Sequence, residues 1–199
     1  MAASVEFWFE FASTYSYPAA MRVETVARGA GVDVVWRPFL LGPIFGAQGW
    51  RDSPFNIYPV KGRYMWRDLE RTCDALGLPF RHPTQFPRGS LLAARVATAA
   101  AGAAWQPEFV RRIYTANFAE DRDISQPDVV GSVLTALGLD ATDWLAQAGS
   151  DATKQRLRAT TDEAVAAGVF GAPSLRVGDE LFWGNDRVDE AVAWARSGR

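Results

Sequence analysis

Residues 5–21 read VEFWFEFASTYSYPAAM. From Val5 to Phe11 the side chains are aromatic and β-branched in near-continuous apolar order, the pattern of a strand buried on both faces. That run stops at a small polar cluster, Ser13-Thr14-Tyr15-Ser16. Helical spacing then begins and carries through AAMRVETVARGAG to the glycines at its end. VDVVWRPFL follows as a second strand, stopped by Pro38 and by Gly42-Pro43. Strand, helix and strand within about forty residues predict a βαβ unit with a right-handed crossover.

Beyond Lys61 the character changes, and no strand pattern returns until after Gly168. KGRYMWRDLERTCDALGL is amphipathic and ends at Gly77, with Pro79 close behind. SLLAARVATAAAG opens on Ser90 as a capping residue, and QPEFVRRIYTANFAED carries Pro107 at the first helical position. PDVVGSVLTALGL, ATDWLAQAG and DATKQRLRATTDEAVAAG complete a helical block. After it, PSLRV and LFWG read as a hairpin about the turn GDE, and RVDEAVAWAR as a closing helix. The order βαβ, helical block, ββα is that of an α/β, thioredoxin-like fold with an all-helical domain inserted in the middle. Residues 1–60 and 169–199 form the thioredoxin-like part, and 61–168 the insertion. No Gly/Ser linker separates the two, so they are expected to pack together.

Composition narrows the function classes. Lys and Arg number 21 against 23 Asp and Glu, a net charge of -2, so no basic field exists to attract nucleic acid or a membrane surface. A single cysteine, Cys73, excludes an internal disulfide framework and a cysteine-built zinc site. His82, the only histidine, lies in RHPTQFP with no acidic partner in spacing and reads as a loop residue, and no metal motif is present. No stretch reaches the roughly 20 apolar residues that span a bilayer. The chain enters its first strand without an export signal, so a soluble cytoplasmic protein is expected.

In a thioredoxin fold the reactive group follows the first strand, at the N-terminus of the first helix, where free N–H groups and the helix dipole stabilise an anion. Redox members place a cysteine thiolate there. Here the position reads Ser13-Thr14-Tyr15-Ser16, so dithiol exchange is impossible, and Cys73 lies in the helical block without a resolving partner. Ser13 has two readings: an N-cap, or a hydrogen-bond donor to a thiolate brought by a ligand. Ala172-Pro173 stands just before the third strand, facing that helix N-terminus. A cis bond there would free the Ala172 backbone to pair with an extended peptide; a trans strand-entry proline is the other reading. Asn185 and Asp186 stand where the last helix begins, either as caps or as a site for the amino and carboxylate groups of an α-amino acid. Together these segments suit a thiol-containing peptide with a free amino-acid terminus, and glutathione fits.

These residues carry a family resemblance. FWFEFASTYSY, PVKGRYMWRDLER, GVFGAPSLRV and LFWGNDRVDEA resemble signatures of 2-hydroxychromene-2-carboxylate isomerases and kappa-class glutathione transferases, in register over nearly the whole chain. The resemblance implies bound glutathione, an aromatic carboxylate substrate and a homodimer. It makes Ser13 the catalytic serine at the sulfur, with Thr14 and Tyr15 beside it. Ala172, with Pro173, would pair with the cysteinyl backbone, and Asn185 and Asp186 with the γ-glutamyl end. Two departures stand out. Many members have proline after the serine, where this chain has Thr14 and carries Pro18 later; if Ser13 is the cap, Pro18 should bend the helix. Asp52 falls near the place of a family asparagine that contacts glutathione, with Asn56 the nearest amide. Lys61 is either a partner for a ligand carboxylate or a solvated lysine.

For the substrate carboxylate, Arg88 is a candidate cation, as are Arg63 and Arg67. Tyr64, Trp66, Trp50 and Phe45 would line an aromatic pocket or pack in the core. The implied reaction is glutathione-dependent cis–trans isomerisation by thiolate addition, ring opening, rotation and elimination. Conjugation of electrophiles by a glutathione transferase is the first alternative, and a non-catalytic thioredoxin-fold binding protein the second.

Overall fold

A computed structural model of the protein describes residues 3–198. β1 (Ser4–Phe9) is one of two inner strands of a four-stranded sheet of order β2-β1-β3-β4, parallel to β2 (Asp33–Pro38) and antiparallel to β3 (Ser174–Val177). β3 turns at Gly178, whose φ of 59° suits glycine, into antiparallel β4 (Glu180–Trp183). The doubly buried pattern of the opening strand has a direct cause. Val5, Phe7 and Phe9 enter the main core, while Trp8 turns to the opposite face and packs with Phe39, Ile44 and Val169. Between β1 and β2 runs α1 (Ser16–Ala30), which ends on Gly31 with φ 68°.

Helices fill the chain between β2 and β3: α2 (Leu41–Ala47), α3 (Pro54–Ile57), α4 (Pro59–Leu76), α5 (Leu91–Ala99), α6 (Gln106–Phe118), α7 (Pro127–Ala136), α8 (Ala141–Gly149) and α9 (Asp151–Ala166). After β4 a 3-10 turn (Asn185–Arg187) leads into α10 (Val188–Ser197). The helices do not keep a separate core. Phe109, Ile113, Tyr114 and Phe118 of α6 join Phe7, Phe9 and Phe11 in one apolar cluster. Two hydrogen bonds fix α6 to the end of the first strand: Tyr114 donates to the Glu10 carbonyl at 2.9 Å, and Asn117 to the Phe11 carbonyl at 3.1 Å.

Several local expectations change. Helix α1 starts at Ser16, so Pro18 is its third residue, where an N–H would have no intrahelical partner, and the proline removes no helical hydrogen bond. Ser90 precedes α5 but makes no capping bond; its hydroxyl donates to the Glu10 carboxylate instead. Pro107 lies one residue inside the start of α6. Asp140 and Ser150 do cap α8 and α9, accepting from the N–H groups of Asp143 and Thr153 at 3.1 and 3.3 Å.

The crossing of α3 over α4 depends on one glycine. A Cβ added at Gly62 would lie 2.2 Å from the Phe55 carbonyl oxygen, a backbone atom that cannot swing aside. Gly62→Ala is therefore expected to push α3 off α4 and to destabilise the protein by about 1–3 kcal/mol. Thermal unfolding together with amide exchange in α3 checks this, and an unchanged midpoint with α3 still protected would refute it.

Candidate active site

The C-terminal end of the sheet gathers three segments that are far apart in sequence. β1 runs into a turn in which the Ser13 N–H donates to the Glu10 carbonyl at 3.0 Å. From this turn the Ser13 hydroxyl donates to the Ala172 carbonyl at 2.8 Å, across 159 residues, and lies 3.4 Å from the Ser16 N–H that opens α1. The Ala172-Pro173 bond is cis, as the sequence position suggested, and so is Phe86-Pro87, which it did not. The Pro173 carbonyl accepts the Gly184 N–H at 3.0 Å, and this draws the end of β4 to the same place. Ser13 is thus not a simple cap. Its hydroxyl faces the cis-proline turn at a helix N-terminus, the position where an anion gains most from the unpaired N–H groups.

Its neighbours divide between core and site. Thr14 is buried and donates to the Met65 sulfur at 3.1 Å, so its side chain points into the core and only its backbone remains for a ligand. Tyr15 donates to Asp68 at 3.0 Å, and burial together with that carboxylate raises its phenol, which stays neutral. Cys73 is fully buried and burial raises its thiol to about 11, the state of an inert core cysteine.

Asn185 and Asp186 border a cleft of about 320 Å³ whose other wall comes from α1 and α4, including Arg22, Arg71 and Thr72. Arg22 donates to the Asn185 carbonyl at 3.1 Å and is ion-paired with Asp189. Arg71 pairs with Asp68 at 3.0 Å, so Asp68 links the cleft to Tyr15 and the Ser13 turn. The Oδ1 of Asn185 is buried and has no hydrogen-bond partner among the described residues. The two arginines were not singled out from the sequence, although the Asp68–Arg71 spacing on one helix face was legible there. A larger groove, about 610 Å³ between α7 and α8, carries one charge, Asp128, and none of these groups.

The remaining candidates lie further out. Asn56 donates to both Asp52 carboxylate oxygens at 3.1 Å and to the Phe86 carbonyl at 3.2 Å, tying α3 to the loop before α5. Lys61 is exposed, its ammonium 5.6 Å from the Tyr58 ring. Phe55 packs on Tyr15 at 6.3 Å between ring centres, so α3 leans on the Ser13 turn. Tyr64 is exposed beneath Arg71, and His82 lies against Trp66 in its loop. Phe170 and Trp183, half exposed and 5.1 Å apart between ring centres, pack with tilted rings beside the Ala172 turn.

Arg88 corrects its assignment. Its side chain is 3% exposed and ion-paired with Asp121, and it donates to the carbonyls of Asn117, Arg122 and Asp121. A guanidinium held in this way is an internal strut and is not presented to a substrate carboxylate. Among the described residues no cluster of His, Cys, Asp and Glu could hold a metal ion, and no helix is long and apolar enough to cross a membrane.

The fold and the cis-proline turn beside a helix N-terminus define a class, and sequence comparison agrees: the chain belongs to the DSBA-like thioredoxin domain family, which matches residues 4–193. Within that class it is similar to enzymes that lack a redox name. The 2-hydroxychromene-2-carboxylate isomerase of Sphingobium xenophagum is 30% identical over 190 residues, covering 95% of this chain and 96% of its own. Glutathione S-transferase kappa 2 of Caenorhabditis elegans is 28% identical over 208 residues, covering 94% of this chain and 89% of its own. A solved 2-hydroxychromene-2-carboxylate isomerase superposes with a TM-score of 0.87 at 26% identity, covering 98% of this chain and 96% of that one. With isomerases and transferases as its relatives the protein is an enzyme, and the reading as a non-catalytic binding protein is set aside.

Proposed function

We propose that the protein is a glutathione-dependent 2-hydroxychromene-2-carboxylate isomerase, with residues 61–168 as a helical insertion in a thioredoxin-like frame of residues 1–60 and 169–199. The observation that carries this reading is the Ser13 hydroxyl, 2.8 Å from the Ala172 carbonyl at the start of α1. Rotation about one side-chain bond turns that hydroxyl from the carbonyl toward a sulfur held at the helix N-terminus. The Ala172 backbone would then pair with the cysteinyl unit. The unpartnered Asn185 Oδ1 and the Asp186 carboxylate suit an ammonium, and Arg71, beside Arg22, suits a carboxylate, which is the pair of groups at a γ-glutamyl end. Lys61 is left for the glycyl carboxylate, with Asp52 holding Asn56 nearby.

Glutathione held by these residues would supply a thiolate for reversible addition to the conjugated substrate, the chemistry that would let the ring open and a carbon–carbon bond rotate, with the same thiolate leaving on elimination. The chain's own residues stabilise charge: Ser13 and the α1 N–H groups favour the anion at the sulfur. Phe170 and Trp183 offer an aromatic surface beside the turn. A cytoplasmic homodimer is part of the proposal. The kappa-class relatives favour a second reading, conjugation, in which the carbon–sulfur bond persists.

Calorimetry with glutathione tests binding, and parallel isomerase and conjugation assays, with and without added thiol, separate the two reactions. Isomerase activity undiminished without thiol would overturn the proposal. Arg71→Ala is expected to raise the glutathione Kd about tenfold with little change in turnover at saturation, because it removes one charged hydrogen-bond partner; an unchanged Kd would remove Arg71 from the binding cleft.

A further inference from the structure

We propose that Glu10 is a positioning residue for Ser13: its buried carboxyl group fixes the Ala12–Ser13 turn and, by gaining or losing one proton, changes how readily that turn supports negative charge on a bound sulfur. The second half rests on the glutathione reading; the first half does not.

Both amide donors that lead into Ser13 end on this one residue. The Glu10 Oε2 accepts the Ala12 N–H at 2.8 Å, and its main-chain carbonyl accepts the Ser13 N–H at 3.0 Å. Oε1 accepts the Ser90 hydroxyl, and the Tyr114 hydroxyl donates to the Glu10 carbonyl at 2.9 Å. The residue is 5% exposed, and among the described residues no cation is paired with it. A carboxylate in that setting is neither a surface charge nor half of an ion pair. Burial pushes the group up to about 7, against the opposing pull of Ser90 and of the Ala12 and Ser13 N–H groups.

Few other groups face it. From α6 comes the Tyr114 phenol, which burial raises well above its ordinary value and keeps neutral. From the loop before α5 comes Ser90, which does not titrate, and Arg88 two residues earlier is committed to Asp121. From its own turn come only backbone donors. Protonation near neutral pH therefore belongs to Glu10. When ionised it grips the Ala12 N–H with a charge-assisted bond, and its negative charge, three residues from Ser13, opposes an anion there. When protonated it does neither, so the two titrations are coupled.

The test follows the amide resonances of Ala12 and Ser13 in the full chain between about pH 5 and pH 9, a range that brackets the step. They are expected to move with one inflection near pH 7 and to lie flat in Glu10→Gln. In Ser90→Ala the inflection should rise, because a donor that lowers the group is gone. Flat wild-type amides, an inflection that survives in Glu10→Gln, or an unmoved midpoint in Ser90→Ala would each overturn the proposal; Ser90→Ala keeps the test alive should Glu10→Gln not fold. With glutathione added, thiolate absorbance is expected to titrate at lower pH in Glu10→Gln than in wild type, and superimposable curves would overturn the coupling. Wild type that binds no glutathione in calorimetry would defeat the functional reading instead, and the amide titration would still decide the role of Glu10.

Discussion

Ser13→Ala is expected to lower turnover by a factor of about 10²–10³, the usual effect of removing one donor aimed at developing charge in a water-poor site. Folding should persist. The Ala172 carbonyl loses its 2.8 Å partner, at a cost of about 1 kcal/mol, which does not unfold a domain with this core. Glutathione affinity should fall far less than turnover, because the remaining contacts proposed for the peptide lie on Ala172, Arg71 and the Asn185–Asp186 turn. A Ser13→Cys variant gives the same position a second readout. Its thiolate would attack oxidised glutathione, form one new disulfide, release one glutathione thiolate, and be trapped as a mixed disulfide visible by mass spectrometry. Near wild-type turnover in Ser13→Ala, or no trapping in Ser13→Cys, would move the chemistry away from this turn.

Arg88→Ala should have the largest effect on stability, lowering Tm by about 10 °C or more. Removing the guanidinium leaves the Asp121 carboxylate and the carbonyls of Asn117 and Arg122 without their shared donor. Asp121 also sits at φ 56°, in the left-handed region, so the loop has few other ways to satisfy itself. Catalysis in the surviving folded protein should be close to wild type, since Arg88 faces inward. A selective loss of turnover with an unchanged melting curve would restore it as a substrate residue.

The same pair and Glu10 give opposite pH slopes. The Thr84 N–H and Arg88 hold the Asp121 carboxyl down at about 2, so its contribution is complete above the ordinary range near 3.8 and is lost as pH falls through about 2. Glu10 is raised from 4.5 to about 7, so its contribution is complete below 4.5 and is lost as pH rises through 7. Melting temperature should therefore peak at mildly acidic pH. In Glu10→Gln the alkaline decline should shrink, because the group that titrates there is gone.

What could be read from the chain follows from how local each signal is. β1 was legible because a strand buried on both faces needs nearly every residue apolar, and the hairpin because Gly178-Asp179 separates two short apolar runs. The Ser13 turn was legible because it replaces a familiar pair of cysteines at a fixed place in the order of elements. Helices α2 and α3 were not, since 7 and 4 residues are too few for a helical period to show. Arg88 looked like an exposed cation ahead of a helix, because its partner lies 33 residues away and only the folded loop brings the two together. Ser90 looked like a cap for the same reason: the acceptor that claims its hydroxyl is 80 residues upstream. Glu10 passed as an ordinary polar interruption in FWFEF, since depth is not written in a local pattern.

The bonds from α6 to the Glu10 and Phe11 carbonyls span 104 and 106 residues, and Phe7 pairs with Leu175 in the sheet. A chain leaving the ribosome thus completes its first strand and first helix early, and Met65 and Asp68 of α4 can hold the loop between them soon after, yet the bonds from α6 that fix its base wait for Tyr114 and Asn117. The strand that carries Ala172 follows later still. Such distant closures slow folding, because loop entropy must be overcome before any contact rewards it. The reactive corner is consequently among the last parts of the nascent polypeptide to take shape, and a fragment ending before residue 114 has no means of building it.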